Sequence, residues 1–272
     1  MGGAPDLAFR WIWLLTDYGR SDGFVASCHG VIAQIAPSVR VEDITHEMPP
    51  RDIRHGAAVL AQTLPYLPPS VVVGVVDPGV GTARRAIAVA AGEILLVGPD
   101  NGLVLWAADA LGGATAAVEL VEPLYQLETT TRTFAGRDVF APAAAHLALG
   151  VPLRELGPAL PVDDLLRLPT PRAESREGVL DTEVLGIDRF GNVQLAAVAR
   201  DLEAAGLVFG PVHVAVRDRS YPATIGATFA DVRSGGLVLL VDSAGHVALA
   251  INGGAAATEL GLRPANGVVV RR

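Results

Sequence analysis

The chain contains no lysine and only one cysteine, Cys28, among its 272 residues. All 21 basic residues are therefore arginines, which excludes a Schiff-base lysine, a P-loop lysine and a kinase-type lysine. A single cysteine cannot form a disulfide framework or a thiolate metal cluster. The chemistry must come from carboxylates, arginines, histidines, hydroxyls or backbone groups.

Positive charge and long apolar runs are also scarce. The formal net charge is −8 and no basic stripe is present, so nucleic acid is not an expected partner. No apolar stretch approaches the roughly 18 residues of a membrane span, and residues 1–10 lack the basic and apolar regions of a secretory signal. With 50% hydrophobic and 18% charged residues, the composition is that of a globular protein, expected in the cytoplasm.

The first half of the chain alternates strand and helix patterns. Apolar runs predict strands over 11–16, 39–44, 71–76, 86–90 and 94–97, and helical spacing predicts helices over 24–36, 53–64, 103–110 and 140–148. Strands separated by helices favour a mainly parallel sheet. We therefore predict an α/β N-terminal domain with helices flanking that sheet.

Composition changes between about residues 150 and 176, where five prolines interrupt regular structure. Short strands are predicted beyond this segment, over 179–187, 193–197, 212–216, 236–241, 247–251 and 267–270, with one helix over 201–205. This pattern indicates a smaller, all-β, barrel-like domain. The predicted division is 1–165 for the first domain, 166–176 for a linker and 177–272 for the second domain.

The most informative segment is the loop from Asp77 to Arg84, which joins two apolar runs. Both residues are predicted at the sheet edge where open α/β proteins bind ligands. Gly79 and Gly81 would let a ligand approach the loop backbone closely. The pair either orients a polar reaction or is a surface ion pair contributing under about 1 kcal/mol.

Other turn residues allow a functional and a structural interpretation. Asp17 follows the first strand and could accept hydrogen bonds from a vicinal diol or stabilise the next turn. Asp22 precedes a predicted helix and could be its N-cap. The turn containing Asp188, Phe190 and Asn192 could stack against a base or be an ordinary hairpin.

Two further turns carry small residues and exposed amides, and they contain Ser243 and Asn252-Gly253. They could hold a carboxylate or simply form turns. The six histidines show no pair at zinc-ligand spacing and no carboxylate cluster around them, so no metal site is expected. The nucleophile motif Gly-x-Ser-x-Gly is absent.

Several short motifs occur together in a fixed order. They are Leu15-Thr16-Asp17-Tyr18-Gly19, Asp43-Ile44-Thr45-His46, Asp77-Pro78-Gly79-Val80-Gly81-Thr82 with Arg84, Pro99-Asp100-Asn101-Gly102, Phe134-x-Gly136-Arg137-Asp138, Asp188-x-Phe190-Gly191-Asn192 and Asn252-Gly253. From about Trp11 to Val270 the chain resembles the S-adenosyl-L-methionine (SAM) hydroxide adenosyltransferase family, which is related to the fluorinating and chlorinating enzymes.

The resemblance implies a hydrolase that acts on SAM in a homotrimer. SAM would lie between one subunit's first domain and its neighbour's second domain. Water or hydroxide would attack the ribose 5′ carbon in line, releasing L-methionine and adenosine. Because the sulfonium is already an activated leaving group, no cofactor or metal would be required.

The resemblance also assigns roles to residues. Asp77 and Arg84 would position the water; the halogenating relatives carry tyrosine at the position of Asp77 and lack the arginine, which favours hydroxide chemistry here. Asp17 would bind the ribose hydroxyls. The remaining substrate-binding positions would surround the methionine and adenine parts: Asp22, Phe134, Asp188, Phe190, Asn192, Ser243, Asn252 and Gly253.

One position departs from the family pattern. The hydrolysing family has His-Gly-Arg-Asp where this chain has Ala135-Gly136-Arg137-Asp138, so the third member of the Asp–Arg–His set is missing. A natural variant or a deliberate replacement would explain it, and the intact remaining motifs favour replacement. We expect impaired turnover with binding retained. The alternatives are a non-catalytic SAM- or adenosine-binding protein and a SAM-dependent halogenase.

Overall fold

The computed structural model describes residues 8–128 and 131–272. Residues 1–7, part of the segment considered as a secretory signal, lie outside the described range. The chain forms two compact units that divide between Leu168 and Pro169, a point inside the predicted linker. No described helix is both long enough and apolar enough to cross a membrane.

The first unit contains a six-stranded sheet and helices on both of its faces. Its strands are β1 (Trp11–Thr16), β2 (Arg40–Thr45), β3 (Ser70–Val75), β4 (Ala86–Ala91), β5 (Ile94–Pro99) and β6 (Ala116–Glu119). Its helices are α1 (Phe24–Ile35), α2 (Ile53–Thr63), α3 (Leu103–Asp109) and α4 (Ala141–Ala148), and a π-helical turn (Gly136–Phe140) leads directly into α4.

The strand order is β2-β1-β3-β5-β4-β6. Strands β2, β1, β3 and β5 are mutually parallel, while β4 pairs antiparallel with β5 and β6. This arrangement confirms the predicted mainly parallel α/β domain. Strand β6 was not predicted because its Ala-Ala-Val-Glu sequence has low strand propensity, and pairing with β4 stabilises it there.

The core of this unit lies on both faces of the sheet. All six residues of β3 are buried, as expected for a central parallel strand. Val71 and Val73 pack in the cluster that includes residues of α1 and α4, whereas Val72 packs with residues of α2 and α3. The two layers hold β1 and β3 in register, with Thr16 opposite Val75.

That register determines where the motif residues lie. Because β1 and β3 are parallel, Asp17 and Asp77 both follow their strands at the same edge of the sheet. The Asp17 amide donates to the Val75 carbonyl at 3.3 Å, which joins the two strand ends directly. This is the edge at which open α/β sheets bind ligands.

The second unit is a β-barrel. Its strands are β7 (Ala173–Arg176), β8 (Val179–Ile187), β9 (Val193–Val198), β10 (Gly210–Val216), β11 (Arg219–Ile225), β12 (Leu237–Val241), β13 (His246–Ile251) and β14 (Gly267–Arg271). Pairing of β14 with both β8 and β10 closes seven strands, and β7 adds to β8. The barrel-like prediction is confirmed.

Three elements of this unit differ from the prediction. Strand β7 lies inside the segment predicted as a linker over 166–176, where it pairs with β8. A second helix, α6 (Ala256–Leu260), accompanies α5 (Ala199–Ala204), so the prediction of a single helix was wrong. Strand β11 was missed because Pro222 lies within it; the structure tolerates that proline because β11 pairs with β12 only at Thr224 and Ile225. At Pro222 one side of the strand is therefore unpaired, as proline requires.

Candidate active site

The central feature of the site is a largely buried ion pair between Asp77 and Arg84. Arg84 Nε donates to both carboxylate oxygens of Asp77, at 3.1 and 3.0 Å, and Nη2 adds a third hydrogen bond to Oδ2. The Asp77 side chain is 6% exposed and that of Arg84 is 14% exposed. Such burial contradicts the surface-pair interpretation, because a desolvated pair is costly to break.

The loop between the two residues is built to bring them together. Thr82 Oγ1 donates to the Gly79 carbonyl at 2.7 Å, and the Gly79 amide donates to Asp77 Oδ1 at 3.2 Å. Gly81 has φ +80°, a conformation that side chains other than glycine rarely adopt. The turn therefore fixes the Asp77 carboxylate before any ligand binds.

A second ion pair, between Arg85 and Asp100, supports this loop. Arg85 Nε donates to Asp100 Oδ2 at 2.8 Å, and the Leu166 amide donates to Asp100 Oδ1 at 2.9 Å. Asn101 Nδ2 donates to the Val76 carbonyl at 2.8 Å. The Pro99–Gly102 motif thus braces the end of β3 beside Asp77.

Asp77 lines a pocket with a volume of about 250 Å³. Four predicted site residues share its wall: Asp17, Asp77, Phe134 and Ala135. The sequence-based list had omitted the other lining residues: Tyr18, Phe24, Val80, Thr133 and Gly136. Ala135 therefore lines the same pocket as Asp77, where the family pattern would place its histidine. Arg84 is not among the lining residues and reaches the pocket only through its bonds to Asp77.

Three aromatic rings form the apolar wall of this pocket. The Phe134 ring lies edge-on to those of Tyr18 and Phe24, with centroids 5.6 and 5.2 Å apart. Burial raises the pKa of Tyr18 well above its usual value, and the nearby Cys28, Asp17 and Asp77 add to the effect while Arg84 opposes it. The phenol therefore stays neutral. The sequence signal that could have identified Tyr18 as a site residue was its position directly after Asp17.

The π-helical turn also contributes to the pocket, through its first residue, Gly136. Arg137 Nε donates to Asp138 Oδ1 at 2.6 Å, and the Arg137 guanidinium lies 5.0 Å from the centroid of the Phe134 ring. Asp138 is buried. The Gly136 Cα touches Tyr18 so closely that a Cβ there would lie 2.0 Å from the phenol oxygen. π-Helical turns of this kind occur frequently at functional sites.

The two acidic residues near β1 differ in position. Asp17 lines the pocket, and its Oδ2 accepts a hydrogen bond from the Arg51 amide at 3.1 Å. Asp22 is exposed and is not among the pocket-lining residues. The N-cap interpretation of Asp22 was wrong, because Gly23 occupies the N-cap of α1 and no side chain caps that helix.

In the second unit, Asp188 organises a turn. Its Oδ1 accepts the amides of Phe190 and Asn192, each at 2.9 Å, and its Oδ2 accepts Asn192 Nδ2 at 2.7 Å. These bonds occupy the carboxylate. Phe190 is 72% exposed, with the Arg189 guanidinium 5.8 Å from its ring centroid. The hairpin-turn interpretation therefore describes Asp188, while Phe190 has a free face for stacking.

The other predicted residues of this unit lie on neighbouring or separate turns. The Ala257 amide donates to the Gly191 carbonyl at 2.9 Å, which packs the Asp188 turn against the segment that follows Asn252 and Gly253. Asn252 Nδ2 donates to the Val232 carbonyl at 2.8 Å. Ser243 is exposed in the turn between β12 and β13.

A second polar cluster lies near the start of the first unit. Asp43 Oδ1 is 2.8 Å from His29 Nε2 and 3.0 Å from His46 Nε2. The sequence-based statement that no carboxylate clusters with the histidines was therefore wrong. It failed because His29 on α1 and Asp43 on β2 are 14 residues apart, and packing of the helix on the sheet brings them together.

The fold and the order of the site motifs are those of the two-domain SAM hydroxide adenosyltransferase family. The N-terminal domain of that family matches residues 12–157 and its C-terminal domain matches residues 182–269. The chain belongs to this family, and the resemblance inferred from the motifs is confirmed.

Several relatives are similar over most of their length. The (R)-S-adenosyl-L-methionine hydrolase of Salinispora arenicola is 57% identical, with 93% of this chain and 95% of the relative covered. The Thermus thermophilus hydrolase of that name is 44% identical, covering 93% and 96%, and a fluorinase of Actinoplanes sp. is 29% identical, covering 92% of each. A crystal structure of an uncharacterized conserved protein from Thermotoga maritima superposes with TM-score 0.89 at 33% identity, covering 96% and 100%.

Proposed function

We propose that this protein hydrolyses SAM to adenosine and L-methionine, and that the alanine at position 135 slows it. The observation that carries the proposal is the buried Asp77–Arg84 pair at a pocket whose wall includes Ala135. Relatives at 57% and 54% identity bear the name SAM hydrolase, which supports the same reaction.

The proposed reaction is an in-line displacement. The water oxygen forms a bond to the ribose 5′ carbon as the bond from that carbon to the sulfonium sulfur breaks, and methionine leaves with the electron pair. Asp77 accepts a hydrogen bond from the water and orients it, while Arg84 holds the carboxylate in place. The proton of the attacking water is released to solvent. Rate enhancement here comes from alignment and from exclusion of bulk water.

The isotope of the attacking oxygen tests this directly. In H₂¹⁸O, hydrolysis at the 5′ carbon places one ¹⁸O in adenosine and none in methionine, and mass spectrometry of both products measures it. Enzyme at stoichiometric concentration makes a slow turnover visible. Absence of adenosine under these conditions, or a product other than adenosine, would contradict the proposal.

A non-catalytic SAM- or adenosine-binding protein is the second candidate, and the alanine at position 135 is the observation that favours it. This candidate predicts saturable binding in calorimetry with no adenosine formed, even when histidine is introduced at that position. A halogenase would instead release a halogenated adenosine in chloride or fluoride buffer. Asp77 disfavours that outcome, because the halogenating relatives are expected to carry tyrosine there.

We also propose the homotrimer that the resemblance implies, with the turns of one subunit's second unit completing its neighbour's pocket, and a cytoplasmic location. The exposed Phe190 ring is a suitable stacking surface for such a shared site. Light scattering coupled to gel filtration is expected to give three times the chain mass of 28.2 kDa. A monomer that still binds SAM would contradict the shared site.

Gly136→Ala is expected to weaken SAM binding at least tenfold. A Cβ at position 136 would lie 2.0 Å from the Tyr18 hydroxyl, so the ring must move into the pocket. Gly30→Ala is the matched control: it lies within α1, a Cβ there meets nothing within 4 Å, and alanine should stabilise the helix by up to about 1 kcal/mol. Calorimetric affinities for both variants measure the effect. Equal affinity for both would show that Tyr18 does not shape the site.

A further inference from the structure

The cluster of His29, Asp43 and His46 brings metal-ligand atoms together from three separate elements. His29 lies on α1, Asp43 on β2 and His46 on the loop after β2. One ligand atom from each residue lies within 4.8 Å of the other two. His29 Nε2 is hydrogen-bonded to Asp43 Oδ1 at 2.8 Å, and His46 Nε2 lies 3.0 Å from the same oxygen.

His46 supplies a second, independent observation. Its side chain is fully buried, and its Nδ1 lies 2.8 Å from Thr16 Oγ1, which fixes the orientation of the ring. Its buried Nε2 has no hydrogen-bond partner of acceptable geometry, although Asp43 Oδ1 is only 3.0 Å away. A buried polar atom left unsatisfied is unfavourable, whereas a cation coordinated by both the nitrogen and the carboxylate would satisfy both.

We propose that His29, Asp43 and His46 form a binding site for one divalent transition-metal ion of the zinc class. Two imidazoles and one carboxylate are a ligand set that suits zinc and its neighbours better than calcium or magnesium. A metal-bound histidine usually forms a hydrogen bond through its other ring nitrogen, and His46 Nδ1 has this contact with Thr16 Oγ1. His29 and Asp43 are 35% and 25% exposed, so water can enter and complete the coordination.

The ion would brace the pocket without taking part in the chemistry. Thr16 Oγ1 also accepts the Tyr18 amide at 3.1 Å, and the His46 carbonyl accepts the Gly19 amide at 2.8 Å. A metal at His46 would therefore stabilise the turn that carries Asp17 and Tyr18 into the pocket. Three ligands that meet only in the folded state also make metal binding a source of folding stability.

The experiment titrates chelator-treated full-length protein with Zn²⁺ in a calorimeter and with Co²⁺ in a spectrophotometer. We expect one equivalent to bind per chain, visible Co²⁺ absorption bands from nitrogen ligation, and a rise of several degrees in Tm with Zn²⁺. His29→Ala and Asp43→Asn should each weaken Zn²⁺ binding more than tenfold. His213→Ala, which removes an exposed imidazole of the second unit, should leave it unchanged.

Two results would overturn the proposal. One is the absence of saturable binding at 100-fold excess of either ion. The other is that the His29→Ala and Asp43→Asn variants bind Zn²⁺ as tightly as the His213→Ala control does. That result would show that the cluster is a hydrogen-bonded structural network. The His29 side chain is 35% exposed, so its removal should not prevent folding. Because binding and Tm are measured without substrate, the result is independent of the proposed hydrolysis.

Discussion

Ala135→His is expected to raise the rate of adenosine release from SAM by about 10²- to 10⁴-fold, the usual contribution of a positioned acid–base group. The substitution adds an imidazole to a pocket that both Asp77 and Ala135 line. The affinity for SAM should change little, because the residues proposed to bind the ribose and methionine lie at other positions. Single-turnover kinetics with chromatographic detection of adenosine measures the rate.

Ala135→Gln is the matched control for this gain. Glutamine fills a similar volume and forms hydrogen bonds but does not titrate near neutral pH. In the histidine variant the rate should increase with pH through about 6.5, the ordinary histidine pKa, because only neutral imidazole can accept a proton from water. The rate of the glutamine variant should not increase with pH in this range. Equal rates for the two variants, or no gain with histidine in a folded protein, would refute the catalytic role of position 135.

Asp77→Asn is expected to cost about 3 kcal/mol of unfolding free energy, because it leaves the guanidinium of Arg84 buried without its counter-charge. It should also abolish hydrolysis, including that of the histidine-containing variant. Urea unfolding followed by circular dichroism measures the first effect and adenosine release the second.

The control for that substitution is Asp109→Asn. Asp109 pairs with Arg167 at 3.3 Å, and both side chains are 53% exposed, so its loss should cost less than about 1 kcal/mol. If the two substitutions destabilise the protein equally, burial of the Asp77–Arg84 pair does not contribute the stability that we assign to it.

Local sequence patterns predicted most of the elements. The apolar runs of β1 and β3 needed no tertiary information, because a central parallel strand is apolar on both faces. Strand β6 and helix α6 were missed because alanine-rich segments carry little strand or helix periodicity, so pairing and packing decide their structure. Strand β11 was missed because its proline is acceptable only where one side of the strand is unpaired.

The site residues likewise divide into those that the sequence identified and those that only tertiary packing brings together. Asp77 and Arg84 are seven residues apart, close enough for a turn to join them, and the motif order identified them. Tyr18 and Phe24 became pocket residues only when α1 packed beside Phe134 and the π-helical turn that follows it. The sequence contained His29, Asp43 and His46 but no spacing that linked them, because helix-on-sheet packing supplies that contact.

By itself, the sequence determined the family, the two-domain architecture, the Asp–Arg pair and the alanine at position 135, since all of these are carried by local patterns and motif order. Only the tertiary structure decided that the Asp–Arg pair is buried, that Ala135 faces the same pocket and that two histidines converge on Asp43. Burial and convergence depend on contacts between elements distant in sequence, and these contacts exist only after the helices pack on the sheet.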